Sequence, residues 1–494
     1  MLDTKGNVVR WDNPRFEIPD LGAGEEAQVS ITIPEAERRP YEMRLHLDLV
    51  REGAGWFSAV GSNEFPQVEI VFKHVELSSL SNRPEYSNAR RLQTRVPALD
   101  NAALLAFFAI AKARREMRLN EKSAEVLNAG MGYPQAWIRD CATSVRAAYF
   151  ILGDGAGRGC IDVHLLKQRE DGYVYDWVSH DGATGKNTVE TDQESSLVIA
   201  AAEYVRASGN KNYVLEAIAG KPIIQHLECA LEYVWSQRRD GKTGLVLGAH
   251  TIDWGDVQIN GVAYRDAVNI SEDSPLTVDI YDNAMYALAI QRYLDLLPAK
   301  REAFAASQKK WRNRLGFIRD TTKKILWDKR RGYFVMHRHV TPLKHGFNED
   351  TMFPMGGNAV AIEAGLADKA MVGRIVAKVL LEQKRHGAAT ISGVLYPPYP
   401  DGVYQHSAVN KAYYYQNGGL WDWFGLRMVR VMYRHGYRTR AGEALREIAA
   451  KVVRNRTFSE WDALDGSARG SRDYLGAAGQ YIAALMEMRA LLTK

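Results

Sequence analysis

From about Pro97 to Lys494, apolar residues recur at helical spacing in roughly eleven or twelve stretches, about one for every 33 residues. Leu104, Phe107, Phe108 and Ile110 open the first of these just after Asp100, a candidate N-cap. Further helices are expected near 141–152, 193–207, 213–237, 277–297, 300–318, 357–365, 368–384, 419–435, 439–454 and 474–492. The connections are often long and rich in Gly, Asp, Trp and Tyr, with short strand-like patches at Tyr173–Trp177 and Gly332–Val335. Plain bundles join their helices through about 2–8 residues, so long connections point to function in the loops. Twelve helices with long loops on one face fit an (α/α)6 toroid. An irregular helical domain has the same periodicity.

The first 88 or so residues read differently. Ala27–Ile33, Glu42–Val50 and Gln67–Phe72 alternate apolar and polar residues with period two, separated by Gly, Pro, Asn and Asp clusters. This is the pattern of short half-buried strands in a sandwich. Leu45–Phe57 is similar to the small immunoglobulin-like modules attached to bacterial polysaccharide-handling proteins. The polar stretch 78–95, which contains Pro84, reads as connecting sequence. The expected organisation is a β-sandwich accessory domain at 1–88, a linker at 89–97 and a helical domain at 98–494.

Composition excludes several classes. Of 494 residues, 46% are hydrophobic and 25% charged, which rules out a largely disordered chain. Lys and Arg total 64 against 59 acidic residues, a net charge of +5 that gives little reason to expect a nucleic-acid partner. Three cysteines without a CxxC pair argue against a disulfide framework and a structural zinc site. No His/Cys spacing suggests a metal, no phosphate-binding glycine loop suggests a nucleotide, and no GxSxG elbow is present. The expectation is therefore neither metal nor cofactor. The N-terminal residues lack the apolar core of a secretory signal, and no run reaches the ~18 apolar residues of a membrane span. The expected location is the cytoplasm. Tyr (24) and Trp (11) together outnumber Phe (14). Rings with an apolar face and a polar tip suit sugars, although core packing uses them too.

Four segments concentrate chemistry. Tyr133-Pro-Gln-Ala-Trp-Ile-Arg-Asp140 precedes a helix. Its Arg139 and Asp140 can grip adjacent hydroxyls while Trp137 stacks on the ring, or they can simply cap the helix and pair with each other. In Asp240–Asp256, two carboxylates, Asp253 and Asp256, flank Trp254 and Gly255. A carboxyl group beside an indole is destabilised as the anion, which keeps a general acid protonated; a turn bonding its own backbone is the alternative. Tyr413–Trp423 packs three tyrosines, Gln416, Asn417, Trp421 and Trp423 into eleven residues, which core filling explains poorly. Glu460 opens a glycine-punctuated loop before the last helix, as a base in a cleft or as a solvated loop residue. Acidic residues in Glu190–Glu194 and Asp279–Asn283 stand at helix starts, where the macrodipole favours them in any case.

In this order, the motifs resemble the (α/α)6-barrel glycoside hydrolases: glucoamylases, trehalases, processing α-glucosidases and the glucosidase domain of glycogen-debranching enzymes. Trp137-Ile-Arg-Asp140 is similar to their W-x-R-D element, whose Arg and Asp hold the sugar in the cleaved subsite. Asp240–Asp256 resembles the segment ending in their catalytic acid, D-W-x-D; Asp256 matches its final Asp. Tyr415–Trp421 is similar to the Q-N-G-x-W stretch lining the same subsite. Glu460-Trp461, with Gly466 and Gly470, is similar to the region supplying the base, although Tyr474-Leu475-Gly476 stands where the family often has G-W.

The resemblance implies an inverting hydrolase of an α-glucoside or short glucan, taking an oligosaccharide or glycoside as its substrate. One carboxylic acid protonates the leaving oxygen, and a second carboxylate activates a water from the opposite side, the two about 6.5–9.5 Å apart. Asp256 is assigned as acid and Glu460 as base. Arg139, Asp140 and Asp253 are assigned to sugar binding, with Gln416 and Asn417 bonding hydroxyls or water, and Trp137, Trp254 and Trp421 as stacking faces. Two other readings stay open: a non-catalytic glycan-binding protein of a polysaccharide assembly system, and a helical-barrel sugar epimerase or lyase using a base such as His180, His250 or His406.

Overall fold

The computed structural model describes residues 84–119, 122–298 and 302–492, preceded by short strand segments within 2–72. The chain divides into two compact units, Met1–Pro84 and Glu85–Lys494. In the first unit, Met43–His46 pairs antiparallel with Glu69–Phe72, Met43 opposite Phe72 and His46 opposite Glu69. Leu2–Asp3 pairs with the other edge of Met43–His46, and Val50–Arg51 forms a hairpin with Gly55–Trp56. The strand expected at 27–33, and with it most of the expected sandwich, lies outside the described residues.

The second unit opens with a 3-10 helix, Pro84–Leu92, whose Tyr86 and Leu92 are buried. Among the described residues twelve helices of nine residues or more follow: α1 Pro97–Ala113, α2 Ile138–Leu152, α3 Gly155–Lys167, α4 Gln193–Ser208, α5 Ile223–Gln237, α6 Ile280–Leu296, α7 Ala305–Leu326, α8 Met355–Glu363, α9 Lys369–His386, α10 Asp422–Arg434, α11 Arg438–Asn455 and α12 Leu475–Leu492. Pro97 starts α1, and Asp100 in its first turn accepts the backbone N–H groups of Thr94 (2.7 Å) and Arg95 (3.1 Å). Asp279 caps α6 by accepting from Asp282 N at 2.7 Å, and Asp368 caps α9 by accepting from Met371 N at 2.9 Å.

The even-numbered helices form a closed ring: α2 packs on α4, α4 on α6, α6 on α8, α8 on α10, α10 on α12 and α12 on α2. The odd-numbered helices lie outside, each packed on an even-numbered neighbour. This is an (α/α)6 toroid. Composition sorts the two layers. Inner helices such as α4 and α12 are rich in Ala, Ser and Gly and bury residues around their circumference, whereas outer ones such as α7 and α11 bury one stripe. Small residues let the inner backbones approach. A Cβ on Gly479 of α12 would meet the Cα and Cβ of Ser144 of α2 at 2.7 Å. Gly479→Val is expected to lower stability by about 1–3 kcal/mol, since backbone must move to admit the side chain; the midpoint of chemical denaturation measures it.

One expected element differs, and one helix, α3, was not expected. The helix expected across 213–237 is instead a 3-10 turn, Tyr213–Leu215, a hairpin of Ala217–Ile218 with Lys221–Pro222, and α5. Pro222 lacks the N–H that an uninterrupted helix requires. Conversely, α3 begins with the glycine-rich Gly155-Ala-Gly-Arg-Gly159, which reads locally as a helix breaker.

The two ends of the ring differ. At the C-terminal ends of the inner helices, side chains from all six form a belt of charge. Arg146 (α2) reaches Glu487 (α12) at 3.3 Å, and Glu487 takes Arg430 and Arg434 (α10) at 2.6 Å each. Arg434 and Arg427 reach Glu363 (α8), Arg292 (α6) approaches the same carboxylate, and Arg292 Nε lies 3.5 Å from Glu203 (α4). Burial disfavours ionisation of Glu363, but the surrounding arginines outweigh it and hold its carboxyl well below the usual range. The N-terminal ends, preceded by the long loops, carry the four motifs.

Candidate active site

Arg139, in the first turn of α2, is the centre of the N-terminal end. Its Nε donates to Asp192 Oδ2 at 2.6 Å and its Nη2 to Asp192 Oδ1 at 3.0 Å and to Glu190. Tyr281, in the first turn of α6, donates its hydroxyl to Asp192 Oδ2 at 2.7 Å. Three inner helix N-termini are thus joined through one carboxylate. Asp176, Glu190 and Asp192 lie close enough together to ligate a cation; the Arg139 guanidinium is the cation they hold. Burial raises the Glu190 carboxyl despite Arg139, and pushes Asp176 up to about 7.

Asp140 lies beside Arg139 and is buried. Burial pushes its carboxyl up to about 7, against the pull of Arg139 and the Tyr474 hydroxyl. Trp137 is half-buried, edge-on to Tyr133 (6.0 Å) and near Trp177 (6.4 Å), and its Nε1 has no hydrogen-bond partner among the described residues. Ala136–Trp137 pairs with Trp177–Val178, which also pairs with Thr184–Gly185, and this small sheet fixes the indole.

Asp256 points into the same region. Its side chain is 25% exposed; Oδ1 accepts from Gln416 Nε2 at 2.9 Å and lies 3.7 Å from Arg139 Nη1. Gln416 Oε1 in turn faces the Asp256 backbone N–H at 3.3 Å. Burial raises the Asp256 carboxyl, Arg139 and Gln416 oppose that, and Asp192 adds to it.

Glu460 arrives from the loop before α12. Its Oε1 accepts from the hydroxyls of Tyr133 (2.6 Å) and Tyr415 (3.2 Å), and its Oε2 from the Ser471 backbone N–H at 2.9 Å. Gly470 has φ of +62°, and a Cβ there would stand 2.5 Å from Glu460 Oε2, so the return strand needs glycine at this point. Buried Lys451 of α11 pins the loop by donating to Asp422 Oδ2 at 2.6 Å and to Asp462. Burial raises the Glu460 carboxyl; its three donors lower it, and Asp256 raises it further. Asp256 and Glu460 therefore sense each other's charge, and the Tyr133 and Tyr415 hydroxyls sense both.

Four expected sugar contacts are engaged elsewhere. Asp253 has φ of +51°, is buried, and accepts the Gly357 N–H at the start of α8 at 2.8 Å, so it anchors the loop rather than facing the mouth. Asn417 commits its amide to the backbone: Oδ1 accepts from Tyr399 N, and Nδ2 donates to Tyr399 O, Val409 O and Lys411 O. Trp254 and Trp421 are 2% and 1% exposed and pack edge-on at 4.5 Å, with Trp423 and Phe424 completing the cluster around Trp254. A ring with no open face cannot stack on a sugar.

Sequence reasoning singled out neither Glu190, Asp192, Tyr133 nor Tyr281 as a site residue, though each lies in one of the segments named above. Acidic residues at a helix start have a local explanation, and a lone tyrosine carries no spacing signal. Of the histidines weighed as bases, His180 is exposed, His406 is half-buried, and His250 lies in a separate buried cluster.

Similarity to known proteins is structural. No protein-family model matches the sequence, and no curated protein matches it. The crystal structure of a GH63 mannosylglycerate hydrolase from Thermus thermophilus, in complex with Tris and D-glycerate, covers 78% of this chain and 99% of its own, at 13% identity and a TM-score of 0.54. A GH63 mannosylglycerate hydrolase from the same organism in complex with glucose covers 77% and 98%, at 15% identity and a TM-score of 0.50. At these identities the likeness is one of fold. No helix among the described residues is long and apolar enough to cross a membrane.

Proposed function

We propose that this chain is an inverting glycoside hydrolase with Asp256 as general acid and Glu460 as general base. The observation that carries the reading is the convergence of two buried carboxyls at one end of the ring, close enough for the charge of Asp256 to act on Glu460. Burial raises both, and each is held by its own donors, Glu460 by the Tyr133 and Tyr415 hydroxyls and the Ser471 N–H, Asp256 by Gln416 beside Arg139. A charge on one disfavours a charge on the other, which suits a protonated acid working beside an ionised base. Arg139 and Asp140 would bind the hydroxyls of the cleaved sugar and Trp137 its apolar face. Gln416 would orient the acid. The substrate we favour is an α-glucoside or short glucan. The fold likeness to a mannosylglycerate hydrolase, seen with glucose in one structure, supports a small hexoside as substrate class.

The test is a panel of disaccharides and oligosaccharides followed by proton NMR of the first-formed product. Inversion yields the β-anomer from an α-glycoside. Retention, or binding without turnover, would replace the reading with a double-displacement enzyme or a glycan-binding protein.

The pH profile gives a second check. Activity requires Glu460 ionised and Asp256 protonated, so it falls below the pKa governing the base and above that governing the acid. Tyr133→Phe removes a donor to the Glu460 anion and is expected to move the acidic limb to higher pH. Gln416→Leu removes a donor to the Asp256 anion and moves the basic limb to higher pH. The same upward shifts with the limbs interchanged, Tyr133→Phe moving the basic limb and Gln416→Leu the acidic one, would exchange the two roles.

A further inference from the structure

A second cluster of titratable groups is built from residues that play no part in the proposed reaction, His250, His337, His339 and Glu349. His250 follows the strand Leu247–Ala249; His337 and His339 stand two apart on the strand His337–His339, a spacing that puts both side chains on one face. Glu349 opens the 3-10 turn Glu349–Thr351. Glu349 Oε1 has His250 Nε2 at 2.8 Å, His345 Nε2 at 3.1 Å, His337 Nε2 at 3.4 Å and the Tyr399 hydroxyl at 2.5 Å; Oε2 has His339 Nε2 at 2.6 Å. His345 Nε2 and His250 Nε2 face each other at 3.4 Å. One ligand atom from each of His250, His337, His339 and Glu349 lies within 4.8 Å of all the others.

Hydrogen bonding accounts poorly for this arrangement. A carboxylate oxygen has two lone pairs, yet four donor groups crowd Oε1. His337 is 4% exposed, and its Nε2 makes no hydrogen bond of acceptable geometry despite facing the cluster. Four imidazole nitrogens converging on a carboxylate form the donor set of a transition-metal site. Neutral imidazole suits zinc-like ions, and calcium or magnesium would call for oxygens. Tetrahedral ligands at about 2.0–2.1 Å from zinc stand a little over 3 Å apart, and the imidazole nitrogens of His250, His337 and His339 stand 2.8, 3.4 and 2.6 Å from a Glu349 oxygen. The Tyr404 hydroxyl lies 3.2 Å from His250 Nδ1, the outer partner that fixes a ligand imidazole's orientation.

We propose that His250, His337, His339 and Glu349 form a structural site for a zinc-class divalent cation, with His345 beside it. The ion ties two stretches distant in sequence, one at His250 and one spanning 337–349. One of them is the loop running from His250 through Asp256, which closes on itself where Ile259 N donates to His250 O at 3.0 Å. The site is therefore a staple at the base of the proposed acid's loop. It supplies no group to the reaction.

The experiment uses the full chain and does not depend on catalysis. Protein stripped with dipicolinate is titrated with zinc, with metal content read by mass spectrometry and melting followed in parallel. About one equivalent per chain, and a melting midpoint raised by roughly 3–10 °C on zinc addition, are expected. Cobalt(II) should give visible absorption of nitrogen–oxygen ligation. His339→Ala, at the most exposed of the four ligands, and Glu349→Gln should each retain the helical circular dichroism of the stripped protein and lose at least roughly 10-fold in zinc affinity. Failure of stripped wild type to bind zinc below millimolar concentration, or undiminished stoichiometric binding in both variants, would overturn the proposal.

Discussion

Asp256→Asn is expected to hydrolyse an unactivated α-glucoside about 10²–10⁴-fold more slowly than the parent chain, the usual contribution of a positioned proton donor. The amide keeps the acceptor oxygen that faces Gln416 Nε2 and has no acidic proton to give. The diagnostic is the leaving group. With α-glucosyl fluoride, whose departing fluoride needs little protonation, the loss should shrink to a small factor. Glu460→Gln should lose about 10²–10⁴-fold on both substrates, because water must still be deprotonated whichever group leaves. Steady-state kinetics on the two substrates separates the roles without reference to product anomers. Equal losses for Asp256→Asn on both would remove Asp256 as the acid. Near-parent turnover in Glu460→Gln would remove the base.

Arg139→Met should be the most damaging single substitution at this end of the ring. It removes the cation among Asp176, Glu190 and Asp192 and leaves Tyr281 as the donor to Asp192. Uncovering one half of a buried ion pair costs about 3–5 kcal/mol. The pH dependence has a definite sign. Without the guanidinium, the Glu190 and Asp176 carboxyls, already raised by burial in the parent, rise further. The folded variant then keeps protons that the folded parent releases, so the stability deficit against the parent grows as pH rises through and above about 7, where Asp176 ionises in the parent. Denaturant titrations at several pH values measure this. Arg139→Met/Asp192→Asn should recover part of the stability and none of the activity. A deficit independent of pH would mean that Arg139 acts by packing alone. Arg139→Lys should rescue poorly, because an ammonium cannot span both oxygens of Asp192 and reach Glu190.

The helical layer was legible because its signal is local. Apolar spacing marks the helices; which of them form the inner ring, where Ala, Ser and Gly around the circumference of α4 and α12 suit neighbours on every side, emerges only in the structure. Where a local rule met a long-range requirement, the reading failed. Gly159 looks like a breaker at the start of α3, yet a Cβ there would collide with the Glu125 carbonyl oxygen at 2.0 Å. Close backbone approach selects that glycine.

The motif residues divide along the same line. Chemistry and order along the chain point to Arg139, Asp140, Asp256 and Glu460, and these meet at one end of the ring. Trp254, Trp421 and Asn417 carry equally suggestive chemistry, but the structure uses them to build the loops. Aromatic and amide groups do both jobs, and only exposure distinguishes them. Exposure is a property of what packs on top.

Sequence alone determined that residues beyond about 97 form a many-helix domain with long, chemically loaded connections, since helical periodicity and residue type need no partner to be read. Tertiary structure alone decided which carboxylates meet at one end of the ring, that Glu190 and Asp192 belong to Arg139, and that histidines from separate stretches of the chain converge on Glu349. Those pairings depend on ring closure, which brings together N-terminal turns separated by many residues, and a one-dimensional spacing has no term for such distances.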